Sequence, residues 1–169
     1  MFNQNIRLYG KHATILKKYS NDKSSSEHVE FLVDNNDGDR VDIYLFDTLL
    51  STYLVAGMIG IIENRKVLSE SSNSSTYATI FLEKINKEKR LLERMYQHMI
   101  LSEANEDEID SYIKKAFTIN KADEENEQRR LEDYVRGGLE IIDEIFSKCS
   151  TYEDVANALI DLKNRYYLG

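Results

Sequence analysis

The chain has 169 residues, 30 acidic and 22 basic, for a net charge of −8, with no proline and a single cysteine, Cys149. That length fits one domain able to bury a core without a staple, and one cysteine excludes an internal disulfide and suits a reducing compartment. The acidic balance argues against generic attraction to a nucleic-acid backbone, and the longest apolar stretch, Leu49 to Ile62, is too short to span a membrane.

The opening residues, Met1 to Asn5, carry no apolar run of the signal-peptide kind, so a cytoplasmic protein is expected. Ile6, Tyr9, Ala13, Leu16 and Tyr19 recur at spacings of three and four and predict a short amphipathic helix over Ile6 to Tyr19, with Arg7, Lys11, Lys17 and Lys18 outside. A polar, serine-rich loop follows near 21–27, and Asn35 to Gly38 reads as a turn. Between and beyond them, Val29 to Val33 and the alternating Val41, Ile43 and Leu45 suit a short hairpin, a helical start being the rival reading.

Asp47 is the expected N-cap of a buried helix running to about Ile62 and ending at Glu63, Asn64, Arg65 and Lys66. After a second polar loop near 69–75, a long helix is predicted from about Thr76 to Ser102, with Phe81, Ile85, Leu92, Met95, Tyr96 and Met99 inward and Glu88 interrupting the stripe. Asn105 caps a shorter helix carrying Ile109, Tyr112, Ile113, Ala116 and Phe117 and ending near Asn120. The cleanest periodicity follows, from about Asp123 to Ser147, and a last helix starts at Thr151 and ends near Tyr166. The sum is an all-α, single-domain bundle of about six helices, with the short hairpin near 29–45 as its one β element.

Charge is uneven: Glu103 to Glu144 holds 14 acidic against 6 basic residues, the whole of the net −8. Such a segment reads as a solvated surface, with a basic partner protein as the alternative. His12, His28 and His98 lie far apart on different elements, and no paired cysteines, HExxH or EF-hand pattern occurs, so neither metal nor cofactor is expected. No catalytic residue can be named. An enzyme would need the scattered acids and His98, near Glu103 or Glu106, to converge in one concave site.

Two features stand out. Gly137 and Gly138 sit inside the strongest amphipathic helix, where each costs about 1 kcal/mol relative to alanine. With Tyr134, Leu139 and Ile142 they mark a face for close helix packing, either in the core or against a second subunit, so self-association through it stays open. The other feature is basic: Arg65 and Lys66 after the core helix, and Lys84, Lys87, Lys89, Arg90 and Arg94 further on. This patch could contact phosphates, but Glu83 with Lys87, Lys84 with Glu88 and Lys89 with Glu93 have the spacing of ordinary exposed ion pairs.

The same regions carry a resemblance. Phe46, Thr48, Ala56, Gly60, Arg65 and Lys66, and then Glu132, Asp133, Tyr134, Gly137, Gly138, Leu139, Glu140 and Ile141, resemble two motifs of the small accessory proteins encoded beside bacterial DNA phosphorothioation (Dnd) clusters, the Dnd system-associated group. The likeness covers about Phe46 to Phe146 and supplies no catalytic residue. It implies a prokaryotic anti-phage or DNA-modification locus, in which this chain is a non-enzymatic helical subunit or adaptor held by other protein subunits of the complex. The alternative is a small DNA-binding regulator using the basic patch.

Overall fold

The computed structural model describes residues 2–21, 30–69, 75–118 and 120–167. In chain order they form β1 (Ile6–Tyr9), α1 (Gly10–Lys18), β2 (Leu32–Asp34), β3 (Arg40–Asp42), α2 (Leu49–Ile62), β4 (Tyr77–Ile80), α3 (Leu82–Lys87), α4 (Lys89–Ser102), a 3₁₀ turn at Glu106–Glu108, α5 (Ile109–Phe117), α6 (Glu124–Phe146) and α7 (Tyr152–Tyr167). The chain is mostly helical, with seven α-helices among the described residues. Two short antiparallel sheets accompany them, β1 with β4 and β2 with β3. The polar loops expected near 21–27 and 69–75 lie almost wholly outside the described residues, as do His28 and Val29.

The first segment departs from the expected helix. Ile6 and Leu8 are buried while Arg7 is exposed, the period of a strand. β1 pairs with β4 so that Ile6 faces Ile80 and Leu8 faces Ala78, all four buried. Gly10 then takes a left-handed φ of +61°, which a side chain would resist, and turns the chain into α1 while its N–H donates to the Thr76 carbonyl at 2.9 Å. The helical spacing holds only from Ala13 onwards.

The long helix expected from Thr76 to Ser102 is three elements instead. Its start is β4; α3 follows, with the Leu82 N–H donated to Asn5 Oδ1 at 2.8 Å; and at Glu88 (φ −113°, ψ +19°) the backbone leaves helical geometry before α4 begins. Phe81, placed on the inward stripe by its spacing, is 60% exposed.

Beyond these the expected elements fall close to their places. The hairpin forms around Asn35, whose side-chain oxygen accepts from the Asp37 and Asp39 N–H groups at 2.9 Å each, with Gly38 at φ +83°. Helix α2 is capped by Thr48, one residue after the expected Asp47, its hydroxyl oxygen accepting from the Ser51 N–H at 3.0 Å. Helix α5 stops at Phe117, before Asn120. Helix α7 starts on a reciprocal cap, in which Thr151 Oγ1 accepts from the Asp154 N–H and the Asp154 carboxylate accepts from the N–H groups of Ser150 and Thr151.

The core is organised on the crossing of α2 and α6. Helix α2 is apolar almost all round, as a helix covered on several sides must be. It buries Leu50, Tyr53, Ala56 and Ile59, and α6 meets it with Leu131, Tyr134, Val135, Leu139 and Ile142, all at most 5% exposed. The crossing is close because it is built on small residues. A Cβ on Gly138 would overlap the Ala56 carbonyl, and one on Gly60 would overlap the Tyr134 carbonyl. Gly137 lies against the Arg65 carbonyl just past the end of α2. The Tyr134 to Ile142 face is thus covered by α2 of the same chain and is not presented to a second subunit.

Candidate functional site

Around the crossing, the carboxylates of the acidic segment turn inward onto cations from elsewhere in the chain. Arg65 donates to both oxygens of Glu144, at 2.6 and 3.0 Å, and to Glu140 at 2.8 Å. Glu140, 17% exposed at its side chain, also receives Lys11 at 2.6 Å and the His12 imidazole at 3.3 Å. Burial alone would raise the Glu140 carboxyl, but hydrogen bonds from Lys11 and Arg65 outweigh it and hold it below the ordinary range. His12 is fully buried and held mostly neutral, because desolvation outweighs the pull of Glu140.

A second hub is Glu103, at the C-terminal end of α4. One oxygen accepts from Lys66 Nζ at 2.8 Å and from the Tyr134 hydroxyl at 2.7 Å; the other takes Arg130, which also pairs with the buried Glu127. The Lys66 ammonium sits 4.6 Å from the centre of the Tyr134 ring. Burial opposes ionisation of Glu103, yet the Lys66 and Tyr134 bonds keep its carboxyl below the usual value. Glu103, Lys66, Arg130, Tyr134 and His98 line one open cleft of 640 Å³. Of the acids expected near His98, Glu103 shares this cleft, and it is committed to three donors.

The basic residues proposed for phosphate contact therefore do not form one surface. Arg65 and Lys66 lie past the C-terminal end of α2, and both are neutralised by carboxylates. Lys84 and Lys87 lie near the N-terminal end of α2, about 20 Å away along a helix of this length. Glu83 and Lys87 make the expected pair at 3.2 Å, whereas Lys89 reaches Asn3 at 3.5 Å. Arg90 and Arg94 are exposed one turn apart on α4. Cys149 is half-buried, and burial pushes its thiol up, away from a reactive thiolate.

Two surfaces that sequence spacing did not reveal are apolar. The first is a cleft of 590 Å³ where the start of α2 meets β4, α3 and α4. Leu49, Leu54 and Ile80 line it, Phe81 and Leu91 stand at its mouth 60% and 44% exposed, and Lys84 and Lys87 edge it. The second is on α5, where Ala116 is buried and Tyr112 half-buried, leaving Ile109, Ile113 and Phe117 exposed in a line at i, i+4 and i+8. Sequence spacing gathered all five on this helix without dividing the covered from the open ones.

Among the described residues no three His, Cys, Asp or Glu side chains are grouped as metal ligands, and no helix is long and apolar enough to cross a membrane. Comparison with protein-family models, with curated proteins and with solved structures gives no match.

Proposed function

We propose that this chain is a non-enzymatic helical adaptor that holds partner proteins, in a prokaryotic anti-phage or DNA-modification-linked system of the kind the two sequence motifs imply. The observation that carries the reading is the contrast between its polar and apolar surfaces. The best-placed cations and carboxylates are spent on one another, whereas large apolar side chains stand open around the cleft at the start of α2. Phe81 and Leu91 at its mouth suit an apolar anchor from a partner, and Lys84 at its edge suits an acidic residue beside that anchor. The rival reading, a DNA-binding regulator, is disfavoured because Arg65 and Lys66 would have to abandon Glu140, Glu144 and Glu103 to reach phosphate.

Tagged protein purified from its native cells is expected to carry proteins of a DNA-modification or defence locus, and the Phe81→Asp, Leu91→Asp double variant is expected to lose them while keeping its circular-dichroism spectrum. Retention of the same proteins by the variant, or capture of none from such a locus, would sink the proposal. Duplex DNA is expected to show no mobility shift with the pure protein at low salt; a shift abolished by replacing Arg65 and Lys66 would favour the rival.

A further inference from the structure

Among the described residues helix α5 packs chiefly on α4. The contact runs through Ala116 and Tyr112, with the Tyr96 hydroxyl donating to the Lys115 carbonyl at 3.5 Å and Lys115 paired with Glu127 at 2.8 Å. The stripe of Ile109, Ile113 and Phe117 beside that contact has 44%, 44% and 64% of its surface exposed. Asp110 and Lys114 follow on the flank of the stripe away from α4, one helical turn apart, and among the described residues neither has an ion-pair partner. The N-terminal end of the helix is acidic, with Glu106, Asp107 and Glu108 in the turn before it.

We propose that α5 is a self-association surface on which a second copy of this chain lays its own α5 antiparallel, related by a twofold axis near Ile113. The charge pattern selects this occupant. Under a twofold operation Ile113 meets its own copy, Ile109 meets Phe117 of the second copy, and both polar flanks fall on the same side. Each Asp110 is then brought to Lys114 of the other copy, and each acidic N-terminal end to the end that carries the lysine. The two helix dipoles also oppose. A parallel twofold arrangement would put the two polar flanks on opposite sides of the seam, leaving Asp110 and Lys114 without a charged partner in the other copy. Three apolar side chains per copy bury far less than the roughly 800 Å² per partner of a standard stable interface, so the dimer is weak and concentration-dependent. This surface is separate from the α2 cleft, and its failure leaves the adaptor reading untouched.

Sedimentation equilibrium of the full chain, from low micromolar to near millimolar protein, tests it. The average mass is expected to rise from 19.7 kDa towards twice that value and no further. Ile113→Asp is expected to hold the chain at monomer mass. Asp110→Lys and Lys114→Asp are each expected to weaken association about tenfold, and the double exchange to restore it, since it only swaps which copy contributes which charge. These charge variants are at exposed positions and keep the test meaningful even where Ile113→Asp alters folding, while Phe81→Asp, Leu91→Asp is expected to dimerise like the parent. A wild type monomeric at the highest concentration, assembly beyond a dimer, or an exchange that fails to restore association overturns the proposal.

Discussion

The α2–α6 crossing and helix α5 are both amphipathic helix packing, but they are finished to different degrees. At the crossing Tyr53, Ala56, Leu131, Tyr134, Val135, Leu139 and Ile142 are covered, the backbones approach over glycines, and Glu103 and Glu140 each hold three donors. On α5 one flank of the apolar face is left in solvent, beside charges that pair with nothing in the described fold. Where a protein satisfies its groups internally it is building stability; where it leaves apolar and charged groups in register and unsatisfied, it is offering a contact.

The sharpest way to break that contrast is at Gly138. Alanine there should add about 1 kcal/mol to an ordinary exposed helix, but here its methyl would overlap the Ala56 carbonyl. Gly138→Ala is therefore expected to cost about 3 kcal/mol in chemical denaturation, the opposite sign. A neutral or stabilising result would mean that α2 and α6 are further apart than the crossing requires.

Glu103 comes next. Its replacement by alanine leaves Lys66, Arg130 and the Tyr134 hydroxyl short of an acceptor, and an expected loss of about 2 kcal/mol follows from those unmet bonds. Glu83→Ala, which removes only the exposed pair with Lys87, is expected to change stability by less than about 0.5 kcal/mol. Equal effects would show that the inward ion pairs are no more than decoration.

How much of this was legible beforehand differs by region. The bounds of α2 were readable to within a residue because a largely apolar run lies between the Asp47–Thr48 capping pair, of which Asp47 was expected and Thr48 caps, and a polar string, and α6 because eight positions of its apolar face keep one helical period. Strands β1 and β4 were not, since Ile6 and Tyr9 also fit a helical spacing and the pairing that decides the matter joins Ile6 to Ile80 across the chain. The double glycine pointed to a close packing face, but only the fold says that Ala56 and Gly60 lie opposite. Carboxylate hubs such as Glu140, with partners at Lys11 and Arg65, depend on three distant segments and leave no local trace. On α5 the stripe was visible and its exposure was not, because periodicity says which side chains share a face and nothing about what covers them.

The crossing should also be the acid-sensitive part. Glu103 and Glu140 have carboxyls held below the ordinary 4.5, so the stability they supply is complete above that value and is lost as pH falls through their folded-state values. His12, lowered from 6.5 mainly by burial, adds a loss in the same direction: below 6.5 the unfolded chain takes up a proton that the folded chain resists. Glu132 acts oppositely, since burial raises its carboxyl and protonation relieves a cost. Thermal melting is expected to fall from pH 7 towards pH 4 in the parent, and His12→Gln to flatten the portion just below 6.5. An unchanged slope there would remove His12 from the account.

A smaller effect separates two neighbouring residues. Thr48→Ala removes the cap of α2 and should cost about 1 kcal/mol, while Asp47→Ala, at the position first expected to cap, should be silent. The reverse order in denaturation midpoints would restore Asp47 as the cap.

A further small change is expected at Phe117, and it is the one that completes the comparison. A phenylalanine buried in the core, such as Phe146 at the end of α6 against Tyr19, contributes its whole side chain to it, whereas Phe117 keeps 64% of its surface in water at the last turn of α5. Phe117→Gln should therefore shift the denaturation midpoint of the dilute monomer by less than about 0.5 kcal/mol, while Phe146→Gln leaves a hole and an unsatisfied amide and is expected to unfold much of the protein. The same Phe117→Gln variant should lower self-association at high concentration, since its ring would lie against Ile109 of the second copy. A large loss of monomer stability would place Phe117 with the core, and α5 would then be finished within one chain rather than between two.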